Sequence, residues 1–341
     1  MTASTAGSSS LPPVRWGIVA TGGIAHTLAG EMLLVEDARI VAVSSRVEER
    51  AQAFADEFGI PRAYGSYPDL LADDDVDVVY VATPHAQHAE IVDSALDARK
   101  AVLCEKAFTT SLAETERLAQ KAHDLGVFCM EAMWTRFAPL IARLRHIVAD
   151  GGIGEVRSIS ADLGFVAGPQ AKDRIWDPAL GGGALLDVGI YPVAFAQMLL
   201  GSPQKLAAHG TLTADGVDAE AALLLGWAGG AYAQLETSLI AHSGNTARVV
   251  GTAGRIDVPA RFHQPSRLIH TRSDGSVQVY EDEPVGRGYV PMLRAVHECV
   301  RHGRTQTEEM PLSDTISVMA ILDDALRALG VSYPAPAPAG R

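Results

Sequence analysis

Cysteine is nearly missing from this chain: three in 341 residues (Cys104, Cys129, Cys299), an odd number with no CxxC pair. That argues against a disulfide framework and for a reducing compartment, with buried thiols the default for Cys104 and Cys129. Positive charge is also short, 28 Lys+Arg against 41 Asp+Glu, a formal net charge of −13. Nucleic-acid partners call for a basic face, so that class is excluded. No run of about 18 apolar residues is free of charges and turn signals, which argues against a membrane span. The first residues (MTASTAGSSSLPP) lack the apolar core and basic start of a signal peptide. Segments 1–13 and 331–341, the latter proline-rich, are expected to be disordered. No internal repeat appears between them. A soluble cytoplasmic protein of about two domains follows, at roughly 150 residues per domain.

From Val14 the chain becomes rhythmic. Short apolar runs at 15–20, 38–45, 76–84, 100–106 and 126–131 alternate with helix-period stretches at 25–34, 47–58, 88–98 and 112–124. Strands alternating with helices of this length predict βαβ units and a doubly wound parallel sheet covered on both faces. Beyond 137–149, a further helix, the pattern changes. Strand-like runs at 154–165, 205–213, 219–226, 231–239, 246–258, 267–272 and 276–281 are joined by short turns. Such close spacing predicts an antiparallel sheet. Three helices interrupt or close it, at 181–200, 289–302 and 313–329. The expected class is α/β: a dinucleotide-binding domain over 14–136, then an α+β domain over 137–330.

The turn after the first strand reads Ala20-x-Gly22-x-x-Ala25 against the dinucleotide fingerprint GxGxxG. Gly22 sits where backbone approaches a pyrophosphate, and a helix start offers free N–H groups there. Ala20 departs from the fingerprint's first glycine. The second strand ends Ser44-Ser45-Arg46, with no carboxylate for ribose hydroxyls; a guanidinium beside hydroxyls suits a 2′-phosphate. NADP(H) is therefore preferred over NAD(H). Thr83-Pro84-His85-x-x-His88 ends the next long apolar run, at the sheet edge that faces ligand. The i,i+3 histidines lack a third ligand, so no metal is expected and the loop is assigned to the cofactor site. Glu105-Lys106 places an expected ion pair at the following strand end, in a chain with only five lysines. Trp134 and Arg136 follow the last strand of this half and are candidates to wall in nicotinamide or substrate. Arg174 and Trp176 are weaker substrate candidates.

Together these motifs resemble the glucose–fructose oxidoreductase/inositol dehydrogenase/rhizopine-catabolism (Gfo/Idh/MocA) family, from about Arg15 to Gly330. The carriers are the Gly22 turn, Ser45-Arg46, Thr83-Pro84 with His88, and Glu105-Lys106; the family's proline after that lysine is Ala107 here. The strings TPHAQH (83–88), MEAMWTRFAP (130–139) and GGGALLDVGIYPVAF (181–195) are similar to the dimeric dihydrodiol dehydrogenases, which also act as NADP-dependent D-xylose dehydrogenases. The resemblance implies a cofactor site including Gly22, Gly23, Ile24, Ser45, Arg46, Thr83, His85, His88, Glu105 and Lys106. It also implies a catalytic trio of Lys106, Asp187 and Tyr191 and an open, mostly antiparallel second sheet that makes a homodimer or homotetramer. The implied activity is hydride transfer between NADP(H) and a carbinol or carbonyl of a small-molecule sugar, polyol or trans-dihydrodiol. The fold also occurs in non-catalytic cofactor-sensing regulators; keeping all three of the trio favours the enzyme.

Overall fold

The computed structural model describes residues 12–168 and 172–334. The expected disorder of 1–11 and 335–341 lies outside the described residues. In the first half, β1 (Val14–Val19), α1 (Gly23–Met32), β2 (Ala38–Ser44) and α2 (Glu48–Phe58) lead to β3 (Arg62–Tyr64) and α3 (Tyr67–Leu71). Then come β4 (Val78–Val81), α4 (His85–Asp97), β5 (Ala101–Cys104), α5 (Leu112–Leu125) and β6 (Cys129–Glu131). All six strands are parallel, in the order β3-β2-β1-β4-β5-β6. Every residue of β4 and β5 is buried, because helices cover both faces and leave no side of these strands for water. Strand order reverses between β1 and β4. A crevice opens there, outside the carboxyl ends of the strands. The strand β3 and helix α3 were not legible, since three and five residues are too short to show a period.

The second half begins with a 3₁₀ turn (Trp134–Phe137), α6 (Pro139–Ala149), β7 (Val156–Gly164) and α7 (Lys172–Ile175). A π-helical turn at Leu185–Gly189 runs into α8 (Ile190–Leu200). Next are β8 (Lys205–Leu212), β9 (Asp218–Gly226), β10 (Tyr232–Ser238), β11 (Ala247–Gly251), β12 (Gly254–Val258), β13 (Arg267–Arg272) and β14 (Val277–Glu281). The chain closes with α9 (Val290–Arg301) and α10 (Leu312–Leu329). The second sheet runs β14-β13-β12-β11-β7-β10-β9-β8 and is antiparallel except for the parallel pair β7–β10. The run expected as one strand over 246–258 is a hairpin, β11 and β12, turning at Thr252–Ala253. Helices α6, α8 and α10 cover one face of this sheet, while α9 and α10 also touch the first half through α1, α5 and β6. By length and composition the segment Pro178–Leu200 matches a membrane span, yet 83% of its apolar window is buried inside the protein.

Two terminal expectations need correction. The Pro12 carbonyl accepts from Arg301 at 2.9 Å, so the ordered chain starts before Val14. At the other end Val331 is buried and the Tyr333 hydroxyl donates to the Gly182 carbonyl at 2.8 Å. Residues 331–334 are thus tied down, because this tyrosine satisfies a carbonyl in the glycine run ahead of α8.

Candidate active site

Where β1 meets α1, Gly22 is the N-cap in extended conformation and no side chain caps the helix, so the first-turn N–H groups remain available. A Cβ built on Gly22 or Gly23 would meet nothing within 4 Å; both positions border open space. Ala20, where the fingerprint has glycine, adopts a left-handed φ of 81°. The crevice beside this turn has a volume of about 940 Å³ and extends from Arg46 to Tyr191. Thr83 Oγ1 and Gln87 Oε1 are buried in its lining without partners. An open glycine turn, a bare helix start and two orphaned polar atoms fit a dinucleotide.

At one end of the crevice, Ser45 is buried and its hydroxyl accepts from Val47 N at 3.3 Å. Arg46 is exposed and lies against the Tyr67 hydroxyl. Arg50, in the first turn of α2, joins it in the lining. The carboxylate at this end, Glu57, is paired with His26 at 3.3 Å.

At the other end three elements converge. Lys106 follows β5, and its ammonium donates to the Asp187 carbonyl at 2.5 Å, 3.9 Å from the Asp187 carboxylate and 5.0 Å from the centre of the Tyr191 ring. Asp187 also accepts from Arg174 Nη2 at 2.9 Å. Burial works against its charge, but Lys106 and Arg174 outweigh burial and hold the carboxyl at about 2. Tyr191 lies one turn beyond, at the start of α8. Burial, reinforced by Glu105 and Asp187, pushes its phenol well above the ordinary value, and Trp134 Nε1 donates to its oxygen at 3.0 Å. Geometry therefore brings Lys106, Asp187 and Tyr191 together.

The expected ion pair between Glu105 and Lys106 does not form. Consecutive side chains at a strand end point to opposite sides. Glu105 turns inward, accepts from the Tyr80 hydroxyl at 2.6 Å, and is shifted upward by burial. Lys106 faces the crevice and takes Asp187 instead. Glu105 still lines the crevice.

The histidines support this loop. Each of their four ring nitrogens faces a backbone carbonyl. His85 Nε2 meets Lys106 O at 3.1 Å and its Nδ1 meets Gly181 O at 2.8 Å. His88 Nδ1 meets Ala107 O at 2.9 Å and its Nε2 meets Thr83 O at 2.8 Å. His85 thus spans the Lys106 loop and the glycine run ahead of α8.

Two expected residues are placed elsewhere. Arg136 is buried away from the crevice, bonded to Asp314, to Gln197 Oε1 at 2.5 Å and to Ala194 O at 3.2 Å. A buried guanidinium needs such partners, and it ties α8 to α10. Trp176 packs half-buried on the apolar core and is not in the lining of this crevice. Trp134 belongs to an aromatic wall: it stacks on Tyr289 at 4.8 Å, and its ring lies 6.0 Å from that of His263. His263 and Tyr289 were not legible in the sequence, since they come from separate loops late in the chain. Arg50, in the first turn of α2, was not singled out from the sequence; its position four residues after Arg46, at the start of the next helix, is the signal that could have found it.

Comparison with known proteins identifies the family. Residues 14–133 match the oxidoreductase family with an NAD-binding Rossmann fold, and residues 141–257 match the GFO/IDH/MocA C-terminal domain. The chain is 37% identical over 335 residues to the trans-1,2-dihydrobenzene-1,2-diol dehydrogenase of Mus musculus, covering 94% of this chain and 98% of the relative. Identity to the enzyme of that name from Homo sapiens is 36%, with the same coverage. A 3-ketoreductase from Actinomadura kijaniata, solved with NADP and TDP-benzene, superposes with a TM-score of 0.82 at 29% identity, covering 93% of this chain and 98% of that one. An aldose-aldose oxidoreductase from Caulobacter crescentus shares the fold, with a TM-score of 0.84 at 24% identity over 93% of this chain and 98% of its own. The chain belongs to the Gfo/Idh/MocA oxidoreductase family and is an NAD(P)-binding dehydrogenase or reductase of CH–OH substrates.

Proposed function

We propose that this protein is an NADP(H)-dependent oxidoreductase of a sugar, polyol or trans-dihydrodiol. One observation carries the reading: a single crevice has Arg46 and Arg50 at one end and Lys106, Asp187 and Tyr191 at the other. The α1 N-terminus with Gly22, Gly23 and Ile24 would hold the pyrophosphate, and the unpartnered Thr83 Oγ1 and Gln87 Oε1 would hydrogen-bond to the dinucleotide. Arg46, Arg50 and Ser45 take a 2′-phosphate. When bound, the nicotinamide supplies or accepts the hydride.

The chain's residues manage the proton. The Trp134 N–H occupies the oxygen of Tyr191, leaving its O–H proton free for the substrate. Burial keeps the phenol protonated, the state required to deliver that proton to a carbonyl oxygen as hydride arrives. In the reverse direction Tyr191 first gives up its proton to solvent; the tyrosinate so formed, with the Lys106 ammonium 5.0 Å from its ring centre, then takes the substrate's hydroxyl proton. Asp187, kept ionised by Lys106 and Arg174, orients substrate hydroxyls. The names of the relatives, diol dehydrogenases and a ketoreductase, support this substrate class.

A homodimer through the uncovered face of the second sheet belongs to the same reading. Ala207, Leu224, Gln234, Ser160 and Arg248 form one exposed cross-strand row, with Leu224 50% exposed.

The test is reduction of NADP+ and of NAD+ with D-xylose, D-glucose and a trans-dihydrodiol. Turnover with NADP+ is expected. Arg46→Ala should raise KM for NADP+ about tenfold or more and that for NAD+ far less, since one charge-assisted bidentate pair is lost. Equal effects on both cofactors refute the 2′-phosphate assignment.

A further inference from the structure

Beyond the aromatic wall lies a second cavity of about 780 Å³. Ile24 and Tyr289 line both cavities, so the two adjoin along that edge, and Trp134 stands between them. We propose that this cavity is a second lobe of the substrate site and takes an anionic group, a phosphate or carboxylate, carried by the substrate; the proposal rests on the enzymatic reading above.

The lining is polar and its cations have no acidic partner among the described residues. Arg261 and Arg287 are exposed, and neither makes an ion pair among the described residues. Glu283 is the one carboxylate in the described lining. In the lining itself two guanidinium groups face one acid; the nearby Glu31 carboxylate sits behind the loop, taken up by backbone N–H groups of Arg287 and Tyr289.

The backbone that carries each cation is fixed. Arg261 has a left-handed φ of 69°, a conformation uncommon outside glycine, and its guanidinium is bonded to Gln264. Arg287 sits in a loop pinned to α1: its own N–H and that of Tyr289 donate to the Glu31 carboxylate at 2.8 and 3.3 Å. The backbone is thereby fixed and the Arg287 side chain left toward the cavity.

His263 provides the link to the chemistry. Its ring lies 5.6 Å from that of Tyr191, and its Nδ1 is buried without a partner. Burial, with Arg261 and Lys106 nearby, lowers its pKa to about 4. A neutral imidazole at this throat offers one donor and one acceptor to a passing hydroxyl. A substrate carbon at Tyr191 and an anionic end at Arg261 and Arg287 are then joined through a polar neck.

The test uses the full chain saturated with NADPH, so that the cofactor's own phosphate sites are filled. Inorganic pyrophosphate is titrated calorimetrically into that complex, and in separate assays with NADP+ saturating in place of NADPH, kcat/KM is compared for oxidation of glucose 6-phosphate and glucose. Pyrophosphate should bind, more weakly with added salt. The phosphorylated sugar should be preferred about tenfold or more, as charge-assisted pairs allow. In R261A/R287A both effects should collapse while NADPH affinity, which reports folding, is kept; R261K/R287K should retain much of the anion binding. Equal pyrophosphate affinity in native and R261A/R287A protein, or the same sugar preference in both, overturns the lobe. Glucose turnover without any anion effect also overturns the lobe and leaves the enzymatic reading standing. Arginine-dependent pyrophosphate binding without turnover of either sugar supports the lobe and counts against that reading.

Discussion

Ala20 shows how a departure from a motif is accommodated. It stands where the fingerprint has glycine and still takes the left-handed backbone, φ 81°, which costs an L-residue roughly 1–2 kcal/mol. Ala20→Gly removes that cost and regains part of it as chain entropy in the unfolded state. The expected result is a net gain of about 0.5–1 kcal/mol in chemical denaturation, with NADPH affinity maintained; a loss of stability would contradict the strain. His85 makes a different prediction. Burial, then the neighbouring His88, lowers its pKa to about 3, below the ordinary value near 6.5. The folded state therefore excludes a proton that the unfolded chain accepts. Stability from this group is present above pH ~6.5 and is lost as pH falls toward 3. His85→Gln should flatten the decline of the unfolding midpoint between pH 7 and 4. The Glu105–Lys106 sequence shows the limit of reading residues in a row. Adjacency suggested a pair, whereas strand alternation sends the two side chains to different partners.

At the scale of elements, the turn from Leu185 into α8 carries both Asp187 and Tyr191, and its placement depends on β9. Asp218, fully buried, accepts from Leu185 N at 2.6 Å at the start of that turn. A carboxylate there also opposes the helix dipole. Losing it should cost about 1–3 kcal/mol, the penalty for an orphaned buried donor. Asp218→Ala is expected to lower kcat more than it changes the Kd for NADPH, because the phenol moves while the α1 turn does not. Burial raises the Asp218 pKa to about 7, above its unfolded value. Its favourable contribution is present below pH ~4 and lost as pH rises through about 7. Asp218→Asn should therefore gain in Tm relative to the native protein between pH 5 and 8; a constant difference would contradict the shift. None of this was legible, since Asp218 and Leu185 are paired by the fold. The helix at 181–200 was legible by its apolar run, but its π-helical opening turn was not.

The whole molecule divides labour between two sheets, and the parallel one was far easier to read. Its strands are buried on both faces and announce themselves as Val/Ile runs, with helices between them at regular intervals. The second sheet mixes buried and exposed faces, includes one parallel pair, and hides a hairpin inside one apolar run. Its uncovered face is where assembly is expected. Leu224→Asp should shift the protein toward monomer in light scattering without weakening NADPH binding; an unchanged mass would place the interface elsewhere. The site was legible where a motif lies on one segment, as at Gly22, Arg46, Lys106 and Tyr191. It was illegible where loops far apart meet, as where His263 and Tyr289 join Trp134, and Arg136 proved a tie between helices.

The central claim is that Tyr191, backed by Lys106, transfers the proton that accompanies hydride transfer. Its most direct test is single-turnover NADPH oxidation by Tyr191→Phe and the native protein at saturating carbonyl substrate. A fall of at least ~10²-fold in rate with an unchanged NADPH Kd is predicted, as expected for lost acid–base catalysis. A near-native rate would contradict the account.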